Sequence, residues 1–159
     1  MISGSDRFGL PTPVDTDVLL VLIQLTKERS NFDARNLAFS RYELIELLQW
    51  NHGGASYKRL DEALQRWTST TLYYNQAWWD RAVRLWRSKT FHVIESLDLK
   101  GSGGEGSDDS SCSLAWNEVL FQSFQSSNLK ALNLDTYFQL ERPLARQAYR
   151  FLDKRFVLP

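Results

Sequence analysis

Residues 40–67 constrain this chain more than any other stretch. Ser40 and Glu43 stand three apart, the spacing of a capping box, so a helix is expected over residues 41–50 with Leu44, Leu47 and Leu48 buried. His52-Gly53-Gly54 breaks it. A second helix, about residues 55–67, aligns Tyr57, Leu60, Ala63, Leu64 and Trp67 on one stripe. At about 100° per residue, Lys58, Arg59, Glu62, Gln65 and Arg66 share the opposite face. The β-branched and aromatic run Thr70–Asn75 follows at once as a strand. Helix, glycine turn, helix and hairpin is the order of a winged helix–turn–helix, so the expected class is α+β.

The rest of the chain fits one domain around that unit. Residues 1–10 read as a flexible tail and residues 11–158 as a single winged-helix domain. Thr12 can cap a first helix, with Pro13 at its first position and Asp15 at its positive end. Val14, Val18, Val21, Leu22 and Leu25 follow helical spacing, and Leu19, Leu20 and Ile23 widen the apolar face. Asn36–Phe39 is a short strand. Thr90–Leu99 alternates and reads as the partner of Thr70–Asn75, with the intervening segment open between longer strands and a helical turn. Residues 101–113 hold only glycine, serine, acid and one cysteine, a flexible acidic loop. Ala115–Phe121 and Leu129–Leu134 are strand candidates, and Asp135–Leu140 a helical turn. Pro143 opens a last helix, residues 143–156, with Leu144, Ala148, Phe151 and Leu152 toward the core. Arg142, Arg146, Arg150, Lys154 and Arg155 are expected to stay in solvent.

Charge sharpens the functional reading. The net charge is zero, against the basic balance usual for DNA-binding domains. Its distribution is uneven. Residues 41–92 carry eight Lys/Arg against five Asp/Glu, and residues 141–156 carry five against two. Residues 93–115 hold five acids and one lysine, which offsets most of that excess. No apolar run approaches the roughly 20 residues of a membrane helix, so no membrane association is expected. No secretion signal opens the chain, and a lone Cys112 fits a reducing cytosol, so the expected location is cytoplasmic. His52 and His92 are the only histidines, and no metal cluster or nucleophile–base pair can be assembled. The chain is therefore expected to be neither an enzyme nor a holder of a metal or other cofactor.

The candidate partner is double-stranded DNA. A second helix laid in the major groove would bring Ser56, Lys58, Arg59 and Arg66 to the duplex. From the hairpin, Arg81, Arg84, Arg87 and Lys89 would meet phosphate. Trp78, Trp79 and Trp86 are interleaved with those cations; Trp79 and Trp86 are expected to plug the hairpin base onto the core. The competing reading is a solvated surface that serves dimerisation or another protein, since Asp61 and Glu62 dilute the basic face.

Beyond these local patterns, a resemblance covers most of the chain. GLPTPVDTDVLLVLIQLTKE, Ser40–Trp50, YKRLDEALQRW and AWWDRAVRLW with TFHVIESLDL resemble the plasmid replication initiator protein A family, and WNEVLFQSF and LARQAYRFLDKRF resemble its continuation. The resemblance implies an initiator of winged-helix domains that acts at repeated origin sites, helps open the duplex and recruits host replication proteins. It also implies a first domain suited to homodimer formation and backbone contact, and a second winged helix beyond Phe156. The chain stops three residues later and is expected to be the first domain alone. A winged-helix transcriptional regulator, or a protein-interaction module without direct DNA reading, is the alternative.

Overall fold

The computed structural model describes residues 1–80, 84–100, 112–126 and 131–155. Helix α1 (Pro13–Ser30) runs through the centre. Thr12 caps it, and its Oγ1 accepts from the Asp15 backbone N–H while the Asp15 carboxylate accepts from the Thr12 N–H at 2.6 Å. Both orphan donors are thus satisfied at the helix's positive end. Val18, Val21, Leu22 and Leu25 form its buried stripe. Asn31, in the left-handed region at φ 46°, ends the helix and donates to the Lys27 carbonyl.

Strand β2 (Asn36–Phe39) leads into α2 (Arg41–Leu47), and Ser40 caps α2 by accepting from Glu43 N–H at 3.0 Å. The Glu43 carboxylate does not return to the cap. It takes a two-pronged bond from Arg29 at the end of α1, both contacts at 2.7 Å. Gln49 at φ 57° reverses the chain, and α3 (Gly54–Ser69) follows. Leu44, Ile45, Leu60, Ala63 and Leu64 close the core beneath this pair.

The strands form two three-stranded sheets. The first has the order β1–β3–β4, where β1 is Ile2–Ser3, β3 is Thr71–Asp80 and β4 is Leu85–His92. The second has the order β2–β6–β5, where β5 is Ile94–Asp98 and β6 is Cys112–Trp116. Helices α4 (Glu118–Gln125), α5 (Leu134–Gln139) and α6 (Pro143–Arg155) complete the fold. All pairings are antiparallel, and the class is α+β as expected.

Several sequence expectations are corrected here. The first residues are no free tail. Ile2 pairs with Leu72 and Ser3 with Thr71, and the Met1 ammonium donates to the Tyr73 carbonyl at 2.9 Å. Thr90–Leu99 is not one strand. Buried Val93 divides it, so that β4 serves one sheet and β5 the other. Strand β2, the expected short strand, pairs with β6. Cys112 and Ser113 belong to β6, and Cys112 is buried; residues 101–111 of the expected loop lie outside the described residues. Strand β6 ends at Trp116, and Asn117 then caps α4 by accepting from Val119 N–H at 3.0 Å. The expected strand through Phe121 is therefore half helix. Leu134 opens α5, so the strand candidate ending there does not form; its residues 129 and 130 lie outside the described set.

Candidate nucleic-acid interface

The helix–turn–helix is held from several sides. In the turn His52 stacks on Tyr42 with ring centroids 4.5 Å apart and contacts the Glu46 carboxylate. Gly53 precedes α3 in extended backbone and caps it with no side chain, while its carbonyl accepts from Ser56 and Tyr57 N–H. The positive end of α3 is therefore left uncovered by side chains, the arrangement that suits a phosphate oxygen.

Lys58 and Arg59 are exposed on the first turns of α3, with Ser56 half-buried beside them. The Arg59 guanidinium lies 5.2 Å from the centre of the Trp50 ring, which orients it without neutralising it. The acids that dilute this face in the sequence are engaged from within. Asp61 takes an ion pair from Arg41 at 3.3 Å, and Glu62 one from Arg66 at 3.3 Å. Arg41 is itself nearly buried and also donates to the Lys100 carbonyl at 2.8 Å, which ties α2 and α3 to the end of β5.

Arg66 is not available to a groove in this arrangement. Its guanidinium turns inward, donating to the buried Asp15 carboxylate at 2.9 Å and to the Phe8 carbonyl at 3.1 Å. Trp67 Nε1 adds a bond to the Asp15 carbonyl at 2.5 Å. Asp15 thus caps α1 and anchors α3 together. Helical periodicity put Arg66 opposite the apolar stripe, but it could not see α1 crossing that end of α3.

Strands β3 and β4 form a hairpin. At about 3.3 Å per residue its 10-residue strand spans roughly 30 Å. The register shifts between Tyr74 and Trp78, so a bulge divides the arm. Arg84 is exposed at the turn in the left-handed region, φ 52°. Arg87 stands opposite Trp78, and half-buried Lys89 stands opposite Tyr74. Arg81 lies outside the described residues. Trp86 does not plug the base. It is 59 % exposed beside Leu85, opposite Trp79 in the register. Among the described residues no three His, Cys, Asp or Glu gather as a metal-holding group, and no helix is long and apolar enough to cross a membrane.

At the far side, Asp17 of α1 anchors a second cluster that the sequence did not announce. Tyr137 of α5 donates to one carboxylate oxygen at 2.5 Å, and Arg146 of α6 to the other at 2.6 Å. Burial, and then the hydrogen bond to Asp17, push the Tyr137 hydroxyl well above its ordinary value.

The fold matches solved structures of RctB domains. A solved structure of RctB domains 2-3 matches with a TM-score of 0.70 at 16 % identity, covering 95 % of this chain and 57 % of that one. A structure of selenomethionine derivatives of domain 2 and domain 3 of RctB matches with a TM-score of 0.61 at 18 % identity, covering 93 % of this chain and 56 % of that one. At such identities the likeness is one of fold, and this chain spans little more than half the length of either. No curated protein matches it. The chain belongs to the Replication initiator protein A family, which it matches over residues 1–156.

Proposed function

We propose that this chain is a DNA-binding domain of a replication initiator that engages duplex repeats at an origin. The α2–α3 unit acts as a winged helix–turn–helix. Lys58 and Arg59, with Ser56 beside them, face the major groove, and the β3–β4 hairpin lies along the backbone with Arg84, Arg87 and Lys89. Arg66 serves this reading indirectly, by fixing α3 against α1.

Membership of the initiator family is the observation that carries the proposal. The exposed cations on α3, whose neighbouring acids are paired internally, support it. The chain works by binding, without a catalytic step or cofactor of its own. It acts inside the cell, on plasmid DNA, alongside host replication proteins. Pairing of two copies is the second part of the reading, favoured by the exposed apolar face of α6.

The test is a titration of origin-repeat and random duplexes at two salt concentrations. A domain that reads sequence binds the repeats more tightly, with an affinity that falls steeply as salt rises. Equal, salt-insensitive binding to both duplexes refutes the proposal.

A further inference from the structure

The β3–β4 arm leaves the core as it runs outward. On β4 the inner face passes from Phe91, 6 % exposed, to half-buried Lys89. The outer face carries His92, Thr90, Ser88 and Trp86, all exposed. Successive strand residues point to opposite faces, yet Leu85 and Trp86 are 60 % and 59 % exposed. Both faces of the ribbon are therefore in solvent at its end, beside the turn where Arg84 stands at φ 52°. An indole so placed buries little against its own chain. Its neighbours along the outer row are polar, with Ser88 donating to the Asn75 side chain at 2.9 Å. Trp86 is thus a large apolar group at the tip of a wet face.

The chain around that tip is cationic. Residues 81–92 hold four Lys/Arg and no Asp/Glu, and exposed Arg84 directly precedes Leu85. An apolar pocket on a protein partner would not call for such a charge. A polyanion that carries flat apolar rings would. Duplex DNA has that chemistry, with phosphate outside and a base stack within. Cations that meet phosphate while an apolar side chain enters between base steps are the means by which proteins wedge open the minor groove.

We infer that Trp86, with Leu85 beside it, inserts between two base pairs from the minor groove and kinks the duplex there. The inference rests on the DNA-binding reading above and adds to it one residue and one deformation. With α3 in a major groove, the adjoining minor groove lies half a helical turn away, about 17 Å along the axis. The arm is long enough to reach it, since its 10-residue strand spans roughly 30 Å. The bulge between Tyr74 and Trp78 lets the ribbon bend along its way. Leucine and the indole ring fill an opened step without reading base edges by a set of hydrogen bonds. Preference at that position therefore comes from how readily the step unstacks, and pyrimidine–purine steps such as TA and CA are favoured.

The test uses a duplex of about 30 base pairs from the origin repeats, with fluorophores at its two ends to report bending by energy transfer. The natural chain should bend it by about 20° or more. Trp86→Ala should bind about fivefold or more weakly, with the bend lost. Its salt slope should not change, because no phosphate contact is removed. Trp86→Phe should restore most of the affinity and the bend. Arg84→Ala should do the opposite of Trp86→Ala, lowering the salt slope by about 1 and keeping the bend. Circular dichroism should be the same for all three, since both positions are exposed. Equal affinity and equal bend in Trp86→Ala overturn the inference. So does tighter binding to the unpaired strand than to the duplex, which would mean that the indole stacks on free bases. A natural chain that binds the repeats without bending them overturns the wedge and leaves the DNA reading intact. A chain that binds no duplex overturns both.

Discussion

Helices α3 and α6 look alike as sequences: each sets an apolar stripe against a cationic face. They are used in opposite ways. Helix α3 buries Leu60, Ala63 and Leu64 and leaves Lys58 and Arg59 in solvent. Helix α6 exposes Leu144, Phe151 and Leu152 and turns Arg146 and Arg150 toward Tyr137. The difference comes from what each meets. Helix α3 buries its hydrocarbon stripe against the core, where that burial is favourable, and meets the buried Asp15 carboxylate of α1 through Arg66 near its C-terminal end. Helix α6 meets α1 at Asp17, a carboxylate only 5 % exposed. A buried carboxylate needs a donor, and a buried ion left without one costs more than an exposed leucine loses. One acid on the central helix thus decides which face of α6 turns inward.

The contrast can be broken at Asp17, where the largest effect is expected. Asp17→Ala leaves Arg146 and Tyr137 without their shared acceptor and should cost about 3 kcal/mol or more, read by urea unfolding. A loss below about 0.5 kcal/mol, the usual range for surface changes, would mean that the cluster does not hold α6. On α3 the pattern should invert. Lys58→Ala with Arg59→Ala should change stability little, the loss of the Arg59–Trp50 contact being about 0.5 kcal/mol. The same pair should weaken duplex binding by roughly tenfold or more and lower the salt slope by about 2. Unaltered affinity and slope would remove α3 as the contact face.

A third effect is confined to alkaline solution. Because Tyr137 keeps its proton in the fold beyond its ordinary value, the unfolded chain loses that proton first as pH rises. Its contribution is fully present below about pH 10 and declines above it, by up to about 1.4 kcal/mol per pH unit. Stability measured against pH should fall more steeply above pH 10 in the natural chain than in Tyr137→Phe. Parallel curves would show that Tyr137 ionises freely. A last effect belongs to the common core, beneath both helices. Thr26 passes its hydroxyl to the Leu22 carbonyl at 2.8 Å and accepts from buried Trp116 Nε1 at 2.9 Å. Thr26→Val should cost about 1–2 kcal/mol by thermal or urea unfolding, since it orphans the indole N–H. No measurable loss would mean that Trp116 finds another acceptor.

Much of this was legible locally. Thr12 and Ser40 marked two helix starts, and the spacing of Leu60, Ala63 and Leu64 marked the buried side of α3. Asn117 was an equally good signal for α4. A cap followed by Glu118 and by Phe121 and Phe124 three apart outweighs the apolar run that resembles a strand. On the candidate site, Lys58 and Arg59 stand where periodicity put them, whereas Arg66 is claimed by Asp15 and Trp86 faces outward. Those two depended on α1 and on the path of the hairpin, which no local window contains.

The sequence alone determined the run from α1 through β2, α2 and α3 to β3, the α+β class and the kinship with replication initiators, because caps, glycine turns and hydrophobic period act over a few residues. Tertiary structure decided which amphipathic face turns inward, which strands share a sheet and which arginines stay in solvent. Those outcomes depend on buried carboxylates, Asp15 and Asp17, meeting cations 51 and 129 residues away in the chain. The energy of such a pair is set by burial and distance in space, and neither is written into the spacing along the chain.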